Sequence, residues 1–371
     1  MARIVRKYGG SSLREPEQLR TVAKILADMK WNGDELVIVV SAMAATTDNL
    51  IELARELNPN PPRREMDMLL SVGERISCAL LAMALEAEGV SAVSYTGSQV
   101  GIITDTHHGE ARIVDVRPTR LLKALEEGFT VVVAGFQGVS VDKEITTLGR
   151  GGSDLTAVAL AAAINADRCE LMKDVNGIYT AHPGVVPGAE LIEQLDYRSA
   201  LRMARGGTKA LQSEAARLAQ DHHVTLALGN SSTDKIGTII TDRPFDCGEV
   251  VGIARRDGLT RIQGTGPLPP GDGLRRVVEQ RGRWILWQEG NPGDSTPLSG
   301  ITVVTSGRSV DGLQTIITSS FEDERIESYG LISTDSEIWV CVETARADDA
   351  VRRLHNEIIK RGWLQVRKDP A

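Results

Sequence analysis

A chain of 371 residues exceeds the commonest single-domain size, so two domains, or a large one with a smaller companion, are expected. Its 42% hydrophobic, 25% charged and 4% aromatic residues give a soluble globular composition and exclude a disordered or fibrous chain. A formal net charge of -8 argues against a general nucleic-acid binder, while leaving room for a local basic pocket that takes phosphates.

The opening residues, Met1 to Lys7, run straight into a glycine turn. They leave no apolar segment there for a signal peptide or membrane span, so cytoplasmic residence without a membrane partner is the expectation. Ile4-Val5 reads as a first strand, after which Leu19, Val22, Ala23, Leu26 and Met29 recur at helical spacing. Leu36 to Val40 is an unbroken apolar run, the signature of a strand buried on both faces. Further strands are predicted over 92–95, 131–134, 169–172 and 224–228, and helices over 66–87, 119–127, 155–164 and 197–219. This alternation predicts an α/β fold with a doubly wound, mostly parallel sheet, whose ligands bind beyond the carboxyl ends of its strands.

From about Asp242 the character shifts. Pro244, Pro267, Pro269, Pro270, Pro292 and Pro297 crowd a glycine-rich segment that also holds Trp284 and Trp287, and the domain boundary is placed there, dividing 1–243 from 244–371. The last stretch predicts a strand over 301–305, a helix over 312–321, strands over 328–333 and 337–342, and a helix over 347–360. That is a βαββα module of the small ligand-sensing kind, and it makes a smaller C-terminal α+β domain.

Cys78, Cys169, Cys247 and Cys341 are scattered and form no CxxC pair, which reads as buried free thiols in a reducing compartment. His107-His108 and His222-His223 lack metal-ligand spacing, so no protein metal site is predicted. The tryptophans read as core or interface, not as a base-stacking platform. No Ser/His/Asp or Cys/His arrangement follows from spacing alone.

Four stretches could carry chemistry. Lys7-Tyr8-Gly9-Gly10-Ser11-Ser12-Leu13 sits where the first strand becomes the first helix; glycine lets backbone N–H groups approach an anion, and Lys7 adds a full positive charge. An ordinary glycine turn is the alternative, and neither GxxxxGK[ST] nor GxGxxG is matched. Ser41 to Asp48 ends the second strand and opens a helix, where its hydroxyls serve either a ligand or as caps. Thr147-Leu148-Gly149-Arg150-Gly151-Gly152-Ser153-Asp154 is more specific, because an arginine between glycines before a helix offers a bidentate fork to a carboxylate or phosphate. Lys173-Asp174-Val175-Asn176-Gly177 places an acidic residue at a strand end, where it could organise Mg²⁺ or nucleotide, or form an Asx turn. Glu74 lies on a long helical pattern and, taken alone, reads as a surface glutamate.

Taken in order, these motifs resemble the aspartokinases of the amino-acid kinase superfamily over roughly residues 1–243. The likeness rests on Lys-Tyr-Gly-Gly-Ser-Ser-Leu, Val-Ser-Ala-Met with Thr-Thr-Asp, Arg-Glu-Met-Asp-Met-Leu-Leu-Ser-Val-Gly-Glu-Arg-Ile-Ser, Gly135-Phe136-Gln137-Gly138 and Thr-Thr-Leu-Gly-Arg-Gly-Gly-Ser-Asp. It implies phosphoryl transfer from ATP, with Mg²⁺, to the side-chain carboxylate of L-aspartate, giving 4-phospho-L-aspartate. By the family pattern, Lys7 neutralises the transferred group, the N–H groups around Gly9, Gly10 and Ser11 cradle it, and Asp174 joins Lys7 in catalysis. Arg150 would clamp the substrate α-carboxylate and Glu74 its amino end, with Ser41, Thr47, Gly151, Gly152, Ser153 and Asp154 completing the pocket. Lys173, Asp174, Tyr179 and Lys209 would lie on the nucleotide side.

The sequence departs from that pattern in two regions. His182-Pro183-Gly184 stands where the family usually carries Asp-Pro-Arg, Leu211-Gln212-Ser213-Glu214 where a Leu-His-Pro-Arg-like stretch is usual, and Ala227-Leu228-Gly229 where arginines are common. Lost positive charge is expected to weaken nucleotide binding by roughly 1.5 to 3 kcal/mol per charge-assisted hydrogen bond. Aspartokinases also typically end in two ACT domains that pair between subunits and bind lysine or threonine. Residues 301–364 resemble the second, while the first survives as a shortened remnant around 250–290, which implies weak or no lysine and threonine feedback and a homodimer. A kinase of another acidic amino acid and a non-catalytic amino-acid-binding paralogue are the alternatives.

Overall fold

The computed structural model describes residues 1–243, 248–265, 267–268, 275–280, 283–290, 296–307 and 310–364. Pro244, Cys247, Pro269, Pro270 and Pro292 lie outside these. In chain order, the first elements are β1 (Arg3–Tyr8), α1 (Pro16–Trp31), β2 (Glu35–Val40), α2 (Thr46–Leu57), α3 (Arg63–Ala87), β3 (Ala92–Tyr95), β4 (Ile102–Thr104) and β5 (Ile113–Val116). They are followed by α4 (Thr119–Glu126), β6 (Thr130–Ala134), β7 (Gln137–Ser140), β8 (Ile145–Thr147), α5 (Gly152–Ala163) and β9 (Arg168–Lys173). Then come β10 (Gln194–Asp196), α6 (Tyr197–Gly206), α7 (Ser213–Asp221), β11 (Leu226–Asn230), β12 (Lys235–Thr241), β13 (Val250–Thr265), β14 (Arg275–Gln280) and β15 (Arg283–Glu289). The chain closes with β16 (Leu298–Thr305), α8 (Leu313–Asp323), β17 (Ser328–Ser333), β18 (Glu337–Glu343) and α9 (Ala347–Lys360).

Two compact units form: residues 1–177 with 214–242, and residues 178–213 with 243–371. In the first, the strands lie in the order β12-β11-β9-β1-β2-β6-β3. Every pair is parallel except β11 with β12, as the helix-strand alternation predicts. Leu36 through Val40 of β2 are fully buried, with layers of helix on both faces. One layer is α1 with α3, whose Leu19, Leu26, Leu81 and Leu85 pack on Ile4, Leu36 and Ile38. The other is α5, an almost wholly apolar helix lying on β1, β2 and β9.

The long helix α3 has the length and hydropathy of a membrane span. It packs against β3, β6 and β8 with the acidic Asp67 and Glu74 on its buried side, while Met68, Val72, Ile76, Leu80 and Met83 are exposed on the other.

Three expectations are corrected. The helix expected over 197–219 is two helices, because Gly207 takes φ 114, and a Cβ there would stand 1.9 Å from the Arg255 carbonyl oxygen. The strand expected from Val224 begins at Leu226, since Val224 N–H still donates to Ala219 O and closes α7. Helix α5 starts at Gly152, three residues earlier than its apolar run, because left-handed Gly149 and Gly151 fold the chain into it. A small sheet, β5-β4-β7-β8, has no counterpart among the predicted elements: its strands are three or four residues long, too short for a repeating apolar pattern.

The second unit carries an antiparallel sheet in the order β14-β15-β13-β16-β18-β17. The predicted βαββα order holds as β16-α8-β17-β18-α9, closed by Ile301, Val303, Leu313, Ile317, Phe321, Val340, Leu354 and Ile358. Beside it Trp287 meets Trp339 edge-on at 5.2 Å between ring centroids, over Leu259 and Leu298. Trp31, by contrast, is 65% exposed. Cys78, Cys169 and Cys341 are buried thiols, and burial pushes those of Cys78 and Cys341 up to about 12.

Candidate active site

Parallel pairing sets Lys7 level with Val39 on β2 and with Leu171 on β9. These strands therefore end at one edge, and the turns that follow them, Gly9–Leu13, Ser41–Ala45 and Asp174–Gly177, gather there. Helix α5 begins at the same edge and delivers Asp154 from its first turn.

Asp154 is 1% exposed and lies between two lysines. Its Oδ1 is 2.7 Å from Lys7 Nζ in ion-pair contact, and its Oδ2 accepts from Lys173 Nζ at 2.5 Å. Burial alone would raise its carboxyl; the charge of Lys7, then that of Lys173, outweighs this and holds it down to about 2. Lys173 is lowered, first by burial and then by the Lys7 charge, against the pull of Asp154. One carboxylate facing two lysines leaves the centre with unbalanced positive charge at the strand ends. Both Asp154 oxygens face lysines, so this residue orients the cations.

The glycine turn closes over Lys7. A Cβ on Gly9 would stand 3.8 Å from Lys7 Nζ, and one on Gly10 only 2.4 Å from Ala42 O, so a side chain at Gly10 would drive the two strand-end loops apart. Ala44 N–H donates to Gly10 O at 3.2 Å and Ser41 N–H to Tyr8 O at 3.2 Å, tying those loops together. Gly10 and Ser11 open a 3-10 turn and so have N–H groups without intrahelical acceptors, the usual seat of an anion. Ser11 is exposed; Ser41 and Thr47 are half-buried.

Glu74 reads as a surface residue when taken alone, yet it is 4% exposed. Its Oε1 accepts from Ala42 N–H at 3.1 Å, whereas Oε2 has no partner among the described residues. Burial pushes its carboxyl up to about 7, against the Ala42 hydrogen bond and the Lys7 charge. A buried acceptor left open is a socket for a donor that the chain itself does not supply.

Arg150 is exposed between the left-handed Gly149 and Gly151, and its guanidinium has no partner among the described residues. Gly152 is buried at the start of α5, and Ser153 packs beside Gly135. Asp174 is exposed just past β9. The first unit thus brings together Lys7, Gly9, Gly10, Ser11, Ser41, Thr47, Glu74, Gly151 to Asp154, Lys173 and Asp174. Tyr179 and Lys209 belong to the second unit: Tyr179 bridges Leu191, and Lys209 is exposed between α6 and α7.

Two buried polar groups escaped the sequence reading. Arg6 donates to Glu170 across the β1/β9 pair, to Asp234 at 2.7 Å and to Tyr8 Oη at 3.2 Å, a network visible only once the sheet order is known. Asp67, fully buried, binds Thr147 and the 108–109 turn. Its spacing of seven from Glu74, one helical face, was the available signal.

Of the departures noted above, Gly229 has a structural reason. It sits at a bulge of β11, where a Cβ would meet Ile236 Cδ1 and Lys235 O at 2.8 Å and Met172 Cε at 3.1 Å, so an arginine has no room there. His182 is exposed, and its Nδ1 accepts from Gly184 N–H at 3.1 Å.

A doubly wound sheet with a glycine turn, a helix N-terminus and two lysines at its carboxyl edge defines an α/β protein shaped to receive an anion beside an open carboxylate. The model of the Amino acid kinase family matches residues 2–230. An aspartokinase of Mycolicibacterium smegmatis is 49% identical over 276 residues, which are 72% of this chain and 66% of that one. One of Corynebacterium glutamicum is 50% identical over 259 residues, 68% and 62% of the two chains. Among solved structures, E. coli aspartokinase III in complex with aspartate and ADP shares the fold with a TM-score of 0.83 at 20% identity, covering 96% of this chain and 99% of that one. An aspartate kinase from Synechocystis matches at 0.61 and 30% identity, covering 100% and 71%. The chain belongs to the amino acid kinase family and, within it, to the aspartokinases. The matched stretches span just under two thirds of the length of the M. smegmatis relative and less of the C. glutamicum one.

Proposed function

We propose that the chain transfers the terminal phosphoryl group of ATP to the side-chain carboxylate of L-aspartate, giving 4-phospho-L-aspartate. The observation that carries this reading is the pair of lysines held by one buried aspartate at the strand ends, directly beneath a glycine turn. An acceptor carboxylate with a reference pKa of about 3.9 is already ionised, so the reaction needs no general base. What it needs is in-line placement and positive charge facing the negative charge on the phosphoryl oxygens, and Lys7 with the N–H groups of Gly10 and Ser11 supplies both.

The socket at Glu74 suits the substrate ammonium, which would satisfy the open Oε2 and draw the proton off a carboxyl poised at about 7. The exposed fork of Arg150 suits the α-carboxylate, with Ser41, Thr47 and Ser153 around it. Among the described residues no cluster of three or more His, Cys, Asp or Glu side chains could cage a metal. The residues fit Mg²⁺ carried on the nucleotide phosphates, with Asp174 as the exposed carboxylate just past β9; when bound, it would neutralise phosphate charge. Tyr179 and Lys209 are assigned to the nucleotide.

The test is a hydroxylamine trap with ATP, Mg²⁺ and a panel of acidic amino acids. Hydroxamate from aspartate is expected; hydroxamate only from another acid would change the substrate, and none from any acid would remove the activity. The reading extends to a homodimer that uses the C-terminal module and escapes end-product control. Millimolar lysine plus threonine should leave turnover within about twofold of the uninhibited rate, a change of under 0.5 kcal/mol in the barrier, and strong inhibition would contradict it.

A further inference from the structure

Asp67 is as deeply buried as Asp154, and the proposed reaction gives it no role. Its carboxylate is saturated: Thr147 Oγ1 donates to Oδ1 at 2.5 Å, Gly109 N–H to Oδ1 at 3.1 Å and Oδ2 at 3.2 Å, and His108 Nδ1 to Oδ2 at 2.6 Å. A metal is excluded there by the lack of a third ligand among the described residues and by the filled lone pairs.

The donors come from two separate stretches, 108–109 and Thr147, which meet Asp67 of α3 beside the Gly149–Gly151 turn. Ala111 N–H donates to Thr147 O at 2.9 Å, and a Cβ on Gly149 would stand 3.4 Å from Gly109 O and 3.6 Å from Glu110 Cγ. The 108–111 segment therefore forms the wall against which the turn bearing Arg150 is laid. Asp67 fastens that wall and Thr147 to α3, and α3 carries Glu74 two turns further on, on the same face.

We infer that the Asp67–His108 pair is a positioning device that fixes the Arg150 turn relative to Glu74, and so sets the spacing between the carboxylate and ammonium subsites for an α-amino acid. This rests on the roles proposed above for Arg150 and Glu74. Arg150 has no partner of its own among the described residues, so its placement depends on the turn that carries it. Both ends of an amino acid must be met at once, and a small displacement of one of them is costly.

The experiment compares His108→Ala and His108→Asn with the full-length wild-type chain, by calorimetric titration of L-aspartate and by steady-state kinetics. His108 lies partly exposed on a loop, so its truncation spares the core. His108→Ala is expected to weaken aspartate binding about tenfold while moving the KM for ATP by less than about twofold. His108→Asn, whose amide nitrogen can take the place of Nδ1, should restore most of the loss. Wild-type aspartate affinity in His108→Ala, parallel losses for aspartate and ATP, or no rescue by asparagine would each overturn the positioning role. A wild-type chain that neither binds aspartate nor forms hydroxamate would instead overturn the functional reading beneath it, and this inference too.

Discussion

The two units bury different things. Arg6, Lys7, Asp67, Glu74, Asp154 and Glu170, the buried side chains of Asp, Glu, Lys and Arg among the described residues, all lie in the first. The second buries Thr180, Ser199, Ser299, Thr302, Thr305, Ser320 and His355, but no side chain of those four charged types among the described residues. Its cohesion comes from two tryptophans and two clusters of branched aliphatics. Removing a charge from water costs several kcal/mol, so buried ions mark positions held for chemistry more than for stability. Of these, Lys7, Glu74 and Asp154 gather where the first unit's parallel strands end.

The largest effect should follow from breaking the Lys7–Asp154–Lys173 centre. Asp154→Asn removes the charge that two lysines share, so turnover should fall about 10³-fold, and stability by roughly 3 to 5 kcal/mol. Initial rates and denaturant midpoints measure both, and a variant of normal rate would end the distinction between the units. Next, Trp287→Ala in the second unit should cost that unit about 3 to 5 kcal/mol through the cavity beside Trp339, with no dependence on pH between 5 and 8.

The smallest is a pH effect. The folded pKa of Glu74 lies near 7, above its ordinary 4.5, so its contribution is fully present below 4.5 and lost as pH rises through 7. The difference is about 3 kcal/mol, and Glu74→Gln should flatten that slope in denaturant midpoints taken at pH 5 and pH 8. An unchanged slope would mean that Glu74 is more hydrated than its burial implies.

Much of the first unit was legible before folding. The unbroken apolar run at Leu36–Val40 could only be a central strand, and the glycines around Arg150 announced a turn before a helix. What stayed hidden depends on partners far apart in sequence. Glu74 looked like a surface residue because nothing local says that α3 lies against the Ala42 loop. Asp67 and His108 were silent for the same reason, since the three stretches that meet there are separated by about forty residues each. The short strands of the β5-β4-β7-β8 sheet lacked the apolar repeat that pattern reading needs. The single helix expected over 197–219 failed on one left-handed glycine.

The most direct measurement is Lys7→Ala, with acyl phosphate trapping and aspartate calorimetry on the same preparation. If Lys7 acts on the phosphoryl group and Glu74 with Arg150 holds the amino acid, hydroxamate formation should fall by about 10² to 10³ while aspartate affinity stays within about twofold. An unaltered rate, or a matching loss of aspartate affinity, would contradict the account.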